Sequence, residues 1–147
     1  MKTITTCLFF LFTLSSTVML AQEEEFPDAQ FFVGSYTLIG KALNSETTFL
    51  GVLTLSVDEN GAGTFDRRTG QASVRGSWGL EYAIGNEVRV VRIRWEADGT
   101  KHECTYQWCM DFDSYPRLSG HCYESGKYTD NPGMEVGFYL HPEYDDD

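Results

Sequence analysis

The chain has 147 residues, a formal net charge of −11, and a composition 41% hydrophobic and 14% aromatic. That length suits one compact domain and is too short for two. With 11 Lys and Arg against 22 Asp and Glu, a nucleic acid or an anionic membrane is an unsuitable partner, because both are held by basic surfaces.

Residues 1–21 begin with one charge, Lys2, followed by an apolar run from Cys7 to Leu14 and a close on Met19, Leu20 and Ala21. This order predicts a signal peptide cleaved between Ala21 and Gln22, and hence a secreted or periplasmic protein. The alternative is a membrane anchor. Thr13, Ser15, Ser16 and Thr17 interrupt the run before the ~20 apolar residues that a span needs, so no membrane span is expected after cleavage. Loss of Lys2 takes the net charge from −11 to about −12. Residues 22–30 read as an acidic extension containing Glu23, Glu24 and Glu25, residues 31–141 as the folded domain, and 142–147 as an acidic tail ending in Asp145, Asp146 and Asp147. Both acidic runs read as solvated ends.

Eight strands are predicted, over residues 31–40, 48–57, 62–67, 71–82, 88–96, 101–110, 117–123 and 134–140. Turn chemistry divides them at Asn60-Gly61, Thr69-Gly70, Gly85-Asn86 and Asp98-Gly99. No stretch sustains a 3.6-residue apolar period, which argues against a long helix. The hairpin at Asp98-Gly99 fixes its own register. A two-residue loop pairs Glu96 with Lys101 and Arg94 with Glu103 on one face. The other face then pairs Trp95 with His102, Ile93 with Cys104, Val91 with Tyr106 and Arg89 with Trp108. A one-residue slip would destroy both agreements.

The same reasoning extends to the other strands. A loop at Thr69-Gly70 pairs Phe65 with Val74 and turns Ala72, Val74, Trp78 and Leu80 inward. Phe49, Leu53, Leu55 and Val57 share a face, as do Met134, Val136, Phe138 and Leu140. Eight short strands with one apolar face each must bury those faces together, in an eight-stranded antiparallel up-and-down barrel or in a β-sandwich. Closure removes exposed edges and favours the barrel. The triplets Gly34-Ser35-Tyr36, Gly63-Thr64-Phe65 and Gly76-Ser77-Trp78 form a faint repeat in which glycine permits bending and the aromatic fills space.

With Gly34-Ser35-Tyr36 on the first strand and the eight-strand meander behind it, the chain resembles the lipocalin and avidin superfamily of small secreted barrels. The resemblance implies a ligand-binding role.

Three cysteines remain after export in an oxidising compartment, where pairing is expected. If Cys104 faces Cys122, then Tyr106 faces Gly120, Trp108 faces Leu118 and Met110 meets Pro116, giving one apolar face. This favours a Cys104–Cys122 disulfide, with Cys109–Cys122 as the rival. In the favoured pairing Cys109 points outward, with an intermolecular bond as one of its possible fates. His102 beside the two cysteines has the makings of a zinc site, against the simpler reading of a disulfide with a neighbouring histidine, and no metal is expected. Asp111-Phe112-Asp113 resembles the start of a calcium loop, but Tyr115-Pro116 breaks it. No catalytic or cofactor motif is present, so neither an enzyme nor a cofactor is expected.

Two functions fit the scaffold. In one, the barrel binds a small apolar or amphipathic ligand in a cavity lined by Tyr36, Leu55, Trp78, Trp95, Tyr106, Trp108 and Phe138. Arg89, placed inward near one end, then orients a ligand carboxylate, or it simply snorkels to water over Trp108. In the other, a solid barrel engages macromolecules through its surface. Interior volume discriminates, since ligand pockets begin at about 300 Å³.

Overall fold

A computed structural model of the protein describes residues 26–110 and 115–141. The predicted signal peptide, the three glutamates after it, the Asp111-Phe112-Asp113 turn and the acidic tail all lie outside the described residues. A short 3₁₀ turn, Ala29–Phe32, precedes eight strands: β1 (Gly34–Lys41), β2 (Thr48–Val57), β3 (Gly63–Thr69), β4 (Ala72–Ala83), β5 (Val88–Ala97), β6 (Thr100–Met110), β7 (Pro116–Glu124) and β8 (Gly133–Tyr139). Each strand pairs antiparallel with the next, and β1 pairs with β8 to close the barrel. The expected barrel is therefore present and the sandwich is excluded.

The β5–β6 hairpin has the register that its charges dictate, with Glu96 opposite Lys101, Arg94 opposite Glu103 and Ile93 opposite Cys104. Asp98 and Gly99 both take positive φ, 51° and 72°, as a two-residue turn matched to strand twist requires. On the next hairpin Cys104 faces Cys122, Tyr106 faces Gly120 and Trp108 faces Leu118. Cys104 and Cys122 form a disulfide with their Cα atoms 4.0 Å apart, so the rival Cys109–Cys122 pairing is excluded.

Three expectations are corrected. Residues 31–33 do not begin the first strand; Phe31 and Phe32 belong to the 3₁₀ turn, which Asp28 caps by accepting from the Phe31 N–H. The β3–β4 loop is Gly70-Gln71, because Thr69 pairs with Ala72 and Phe65 lies opposite Gly76 rather than Val74. That two-residue shift preserves which face is inward and sets aromatics against glycines. Trp78 lies opposite Gly63 as Phe65 lies opposite Gly76, and a Cβ at Gly76 would overlap the Arg94 carbonyl and lie 2.9 Å from Phe65 Cε1.

The third correction is the face of β8. Gly133, Glu135 and Gly137 are buried, while Met134 and Phe138 are exposed, so Met134, Val136 and Phe138 point outward. The cause is space and charge together. A Cβ at Gly137 would already touch Leu38, Tyr36 and Leu118, so this side of the barrel has no room for large side chains. Glu135 enters because Arg67 and Tyr106 meet its carboxylate there.

The interior is filled by side chains. Tyr36, Leu38, Leu53, Leu55, Val91, Ile93, Tyr106 and Leu118 are buried in one core cluster, with Phe32 at its end.

Candidate functional site

The structure separates three regions that carry chemistry: a plugged end, an open end and an outer wall. At the plugged end Phe26, Phe31 and Phe32 each pack against Trp108, with ring centroids 5.4–5.8 Å apart. The Tyr36 hydroxyl donates to the Phe32 carbonyl at 2.8 Å, which ties the plug to β1. Burial first, and then the neighbouring Tyr139, raise the Tyr36 pKa. Arg89 lies here, its guanidinium 4.5 Å from the Phe26 ring centroid and 5.3 Å from that of Tyr82. Phe26 therefore sits between Arg89 and Trp108, in the space that a ligand carboxylate was expected to use. Phe26 is the residue whose signal was overlooked: it falls within the expected acidic extension, yet it packs with Phe32, which in turn packs with Phe31, in one apolar cluster.

At the other end the β1–β2 loop, through Ala42 and Leu43, and the neighbouring strands border a cavity of about 220 Å³. Phe49, Arg67, Trp95, His102, Lys41 and Glu135 line it. Arg67 reaches in from β3 and pairs with Glu135, whose second oxygen accepts from the Tyr106 hydroxyl at 2.7 Å. The Arg67 side chain is 13% exposed and that of Glu135 1%. Burial, then the neighbouring Glu135, push the Tyr106 pKa well up. The guanidinium also lies 5.2 Å from the Phe49 ring centroid and 5.8 Å from that of Trp95, on whose ring His102 stacks. Among the described residues two buried side-chain atoms have no hydrogen-bond partner, Arg67 Nε here and Arg89 Nε at the plugged end.

Of the expected cavity residues, Trp95 alone lines this space. Tyr36, Leu55 and Tyr106 are core residues, Trp78 is buried with its indole N–H on the Ser56 carbonyl, Trp108 packs on the plug and Phe138 faces outward. Cys104, Cys122 and Glu135 place ligand-type atoms within 4.8 Å of one another, yet both sulfurs are committed to the disulfide. A thiolate metal site with His102 therefore has no thiolates to use.

The outer wall has two characters. Across β4, β5 and β6 it is laced by ion pairs, with Arg92 and Arg94 bridging Glu81 and Glu103. Hydrogen bonding to Arg94, above all, keeps the Glu81 carboxyl below the usual range. Across β2, β1 and β8 the wall is apolar. Leu50 and Val136 flank Ile39, while Val52 and Phe138 flank Thr37. Leu50 is 69% exposed, and Ile39 and Met134 are each 50% exposed. This surface continues into an open depression of about 840 Å³ that includes Val90, Ser119 and His121. Cys109, half-buried on β6, lies opposite Arg117 of β7 and accepts from its Nη2.

No family model, curated protein or solved structure matches the chain. The closed eight-stranded antiparallel barrel is compatible with a calycin-like fold. Among the described residues no helix is long and apolar enough to cross a membrane. The disulfide is compatible with a location outside the cytoplasm.

Proposed function

We propose that the protein is an exported, non-enzymatic interaction protein that binds another protein through the apolar wall of β2, β1 and β8. The observation that carries this reading is the inversion of β8, which spends its three large apolar side chains on the surface. Exposed apolar patches beyond a few hundred Å² are uncommon on monomeric proteins and mark contact surfaces. The interior supports the same choice. One end is plugged, the shaft is filled, and the cavity of about 220 Å³ falls below the size of a drug-sized ligand site. The charge of about −12 on the exported chain favours a partner whose apolar contact face lies in a basic surface, since opposite charge speeds encounter. Secretion or transfer to a periplasm fits the leader-like residues 1–21 and the disulfide.

A photo-crosslinking residue at Leu50 tests this, with one at the exposed Lys101, on the ion-paired side, as the control. In the exporting cell, Leu50 should capture a discrete protein that Lys101 does not. No adduct at Leu50, or the same adducts at both sites, would sink the reading.

A further inference from the structure

We infer that the open depression beside the apolar wall seats an amphipathic helix of the partner protein, an inference that rests on the reading of that wall as the contact surface. The first observation is shape. Val90 points outward from β5 yet is only 2% exposed, which makes it the low point of one bank of the depression of about 840 Å³. Met134 and Val136 of β8 line the other bank and belong to the apolar wall as well, so the two surfaces are continuous. Between the banks, Gln107 of β6 lies opposite Ser119 of β7, and Ser119 opposite Val136. With His121 they make a polar floor. The second observation is width. Strands β5 and β8 lie three strand spacings apart along the wall, about 14 Å. A helix about 10–12 Å across fits between the banks. An extended peptide docks by adding to a sheet edge through main-chain bonds, and this barrel is closed. A helix satisfies its own backbone and needs only the side-chain contacts that the groove offers.

The third observation is Ile84, in the turn between β4 and β5. It lines the depression, is 73% exposed and takes a φ of 49°. A β-branched residue in the left-handed region is an outlier that costs backbone energy, and an apolar side chain left in water returns none of that cost. Contact with the apolar stripe of a helix would return it. The fourth is charge. The two cations that line the depression, Lys41 and Arg92, are each paired with acids, while Glu87 is exposed at the Ile84 end. In a chain of net charge −11, the favoured helix carries Lys or Arg beside its apolar stripe.

Photo-crosslinking residues placed one at a time at Gln107, Ser119 and His121, with the adducts mapped by tandem mass spectrometry, test the inference beside the Leu50 site. Each should capture the protein that Leu50 captures. The attached residues should fall on one segment of it, three or four apart, with Lys or Arg close by. Ile84→Asn puts a residue suited to positive φ in the turn and removes the apolar contact. It should raise the urea midpoint while it lowers the yield of the Leu50 adduct about tenfold. Ser119→Trp, which fills the floor from an exposed position, should lower that yield likewise with folding intact. A Leu50 adduct with none from the floor, attached residues two apart as in a strand, or an undiminished Leu50 adduct in either variant would each overturn the helix and leave the wall reading in place. No Leu50 adduct in the otherwise unaltered chain would remove the wall reading and the helix with it.

Discussion

Arg67 and Glu135 form an ion pair inside a barrel, and its value lies in what breaking it would expose. Arg67→Met leaves the Glu135 carboxylate, 1% exposed, with only the Tyr106 hydroxyl and should destabilise the protein by about 3–5 kcal/mol. Arg67→Met/Glu135→Gln should recover most of that loss in urea unfolding. Tyr36 and Tyr106 set the alkaline limit. Both pKa values are raised above the ordinary tyrosine value of about 10, chiefly by burial. An unfolded chain therefore gives up these protons first as pH rises, and the stability present below pH 10 falls above it. The urea midpoint should drop between about pH 9 and about pH 11, and less steeply in Tyr36→Phe. None of this was legible in the sequence, where Glu135 reads as the polar member of an alternating strand. Burial of an acid depends on a base from β3, 68 residues away, and no local pattern announces it.

At the scale of strands, the legible parts were those where two faces had to agree. Charges on one side and apolar groups on the other fixed β5 against β6, and Tyr106 opposite Gly120 then fixed β6 against β7. Strand β8 offered only its own alternation, which points either way until the opposite side is known to be full. The β3–β4 loop was misplaced because Gly70 fits either a Thr69-Gly70 or a Gly70-Gln71 turn. Glycines in β4 give a direct test of this packing. Gly76→Ala would press into the Arg94 carbonyl and should cost about 1–3 kcal/mol. Gly79→Ala, which meets nothing within 4 Å, should be neutral or gain about 0.4–1 kcal/mol. Thermal unfolding of the two variants separates them, and equal effects would refute the close approach at Gly76.

Across the whole molecule, the plug and the seam matter most. Phe32 is fully buried between the barrel core and Trp108, so Phe32→Ala should cost about 3–5 kcal/mol and shift Trp108 emission to the red. An unchanged emission would mean that the plug does not shield Trp108. The seam has a different consequence. Strand β1 finds its second partner only in β8, with Tyr36 opposite Tyr139, so the sheet cannot close until nearly the whole chain is present. Each hairpin can form as it is made, yet the ends of the emerging ribbon stay unpaired until the last strand arrives. A chain cut short before Gly133 would keep both borders open and would aggregate rather than fold. The architecture thus proofreads its own completeness: a message read to its end yields a closed cylinder, and a truncated one yields a sheet that quality control can recognise by its raw edges.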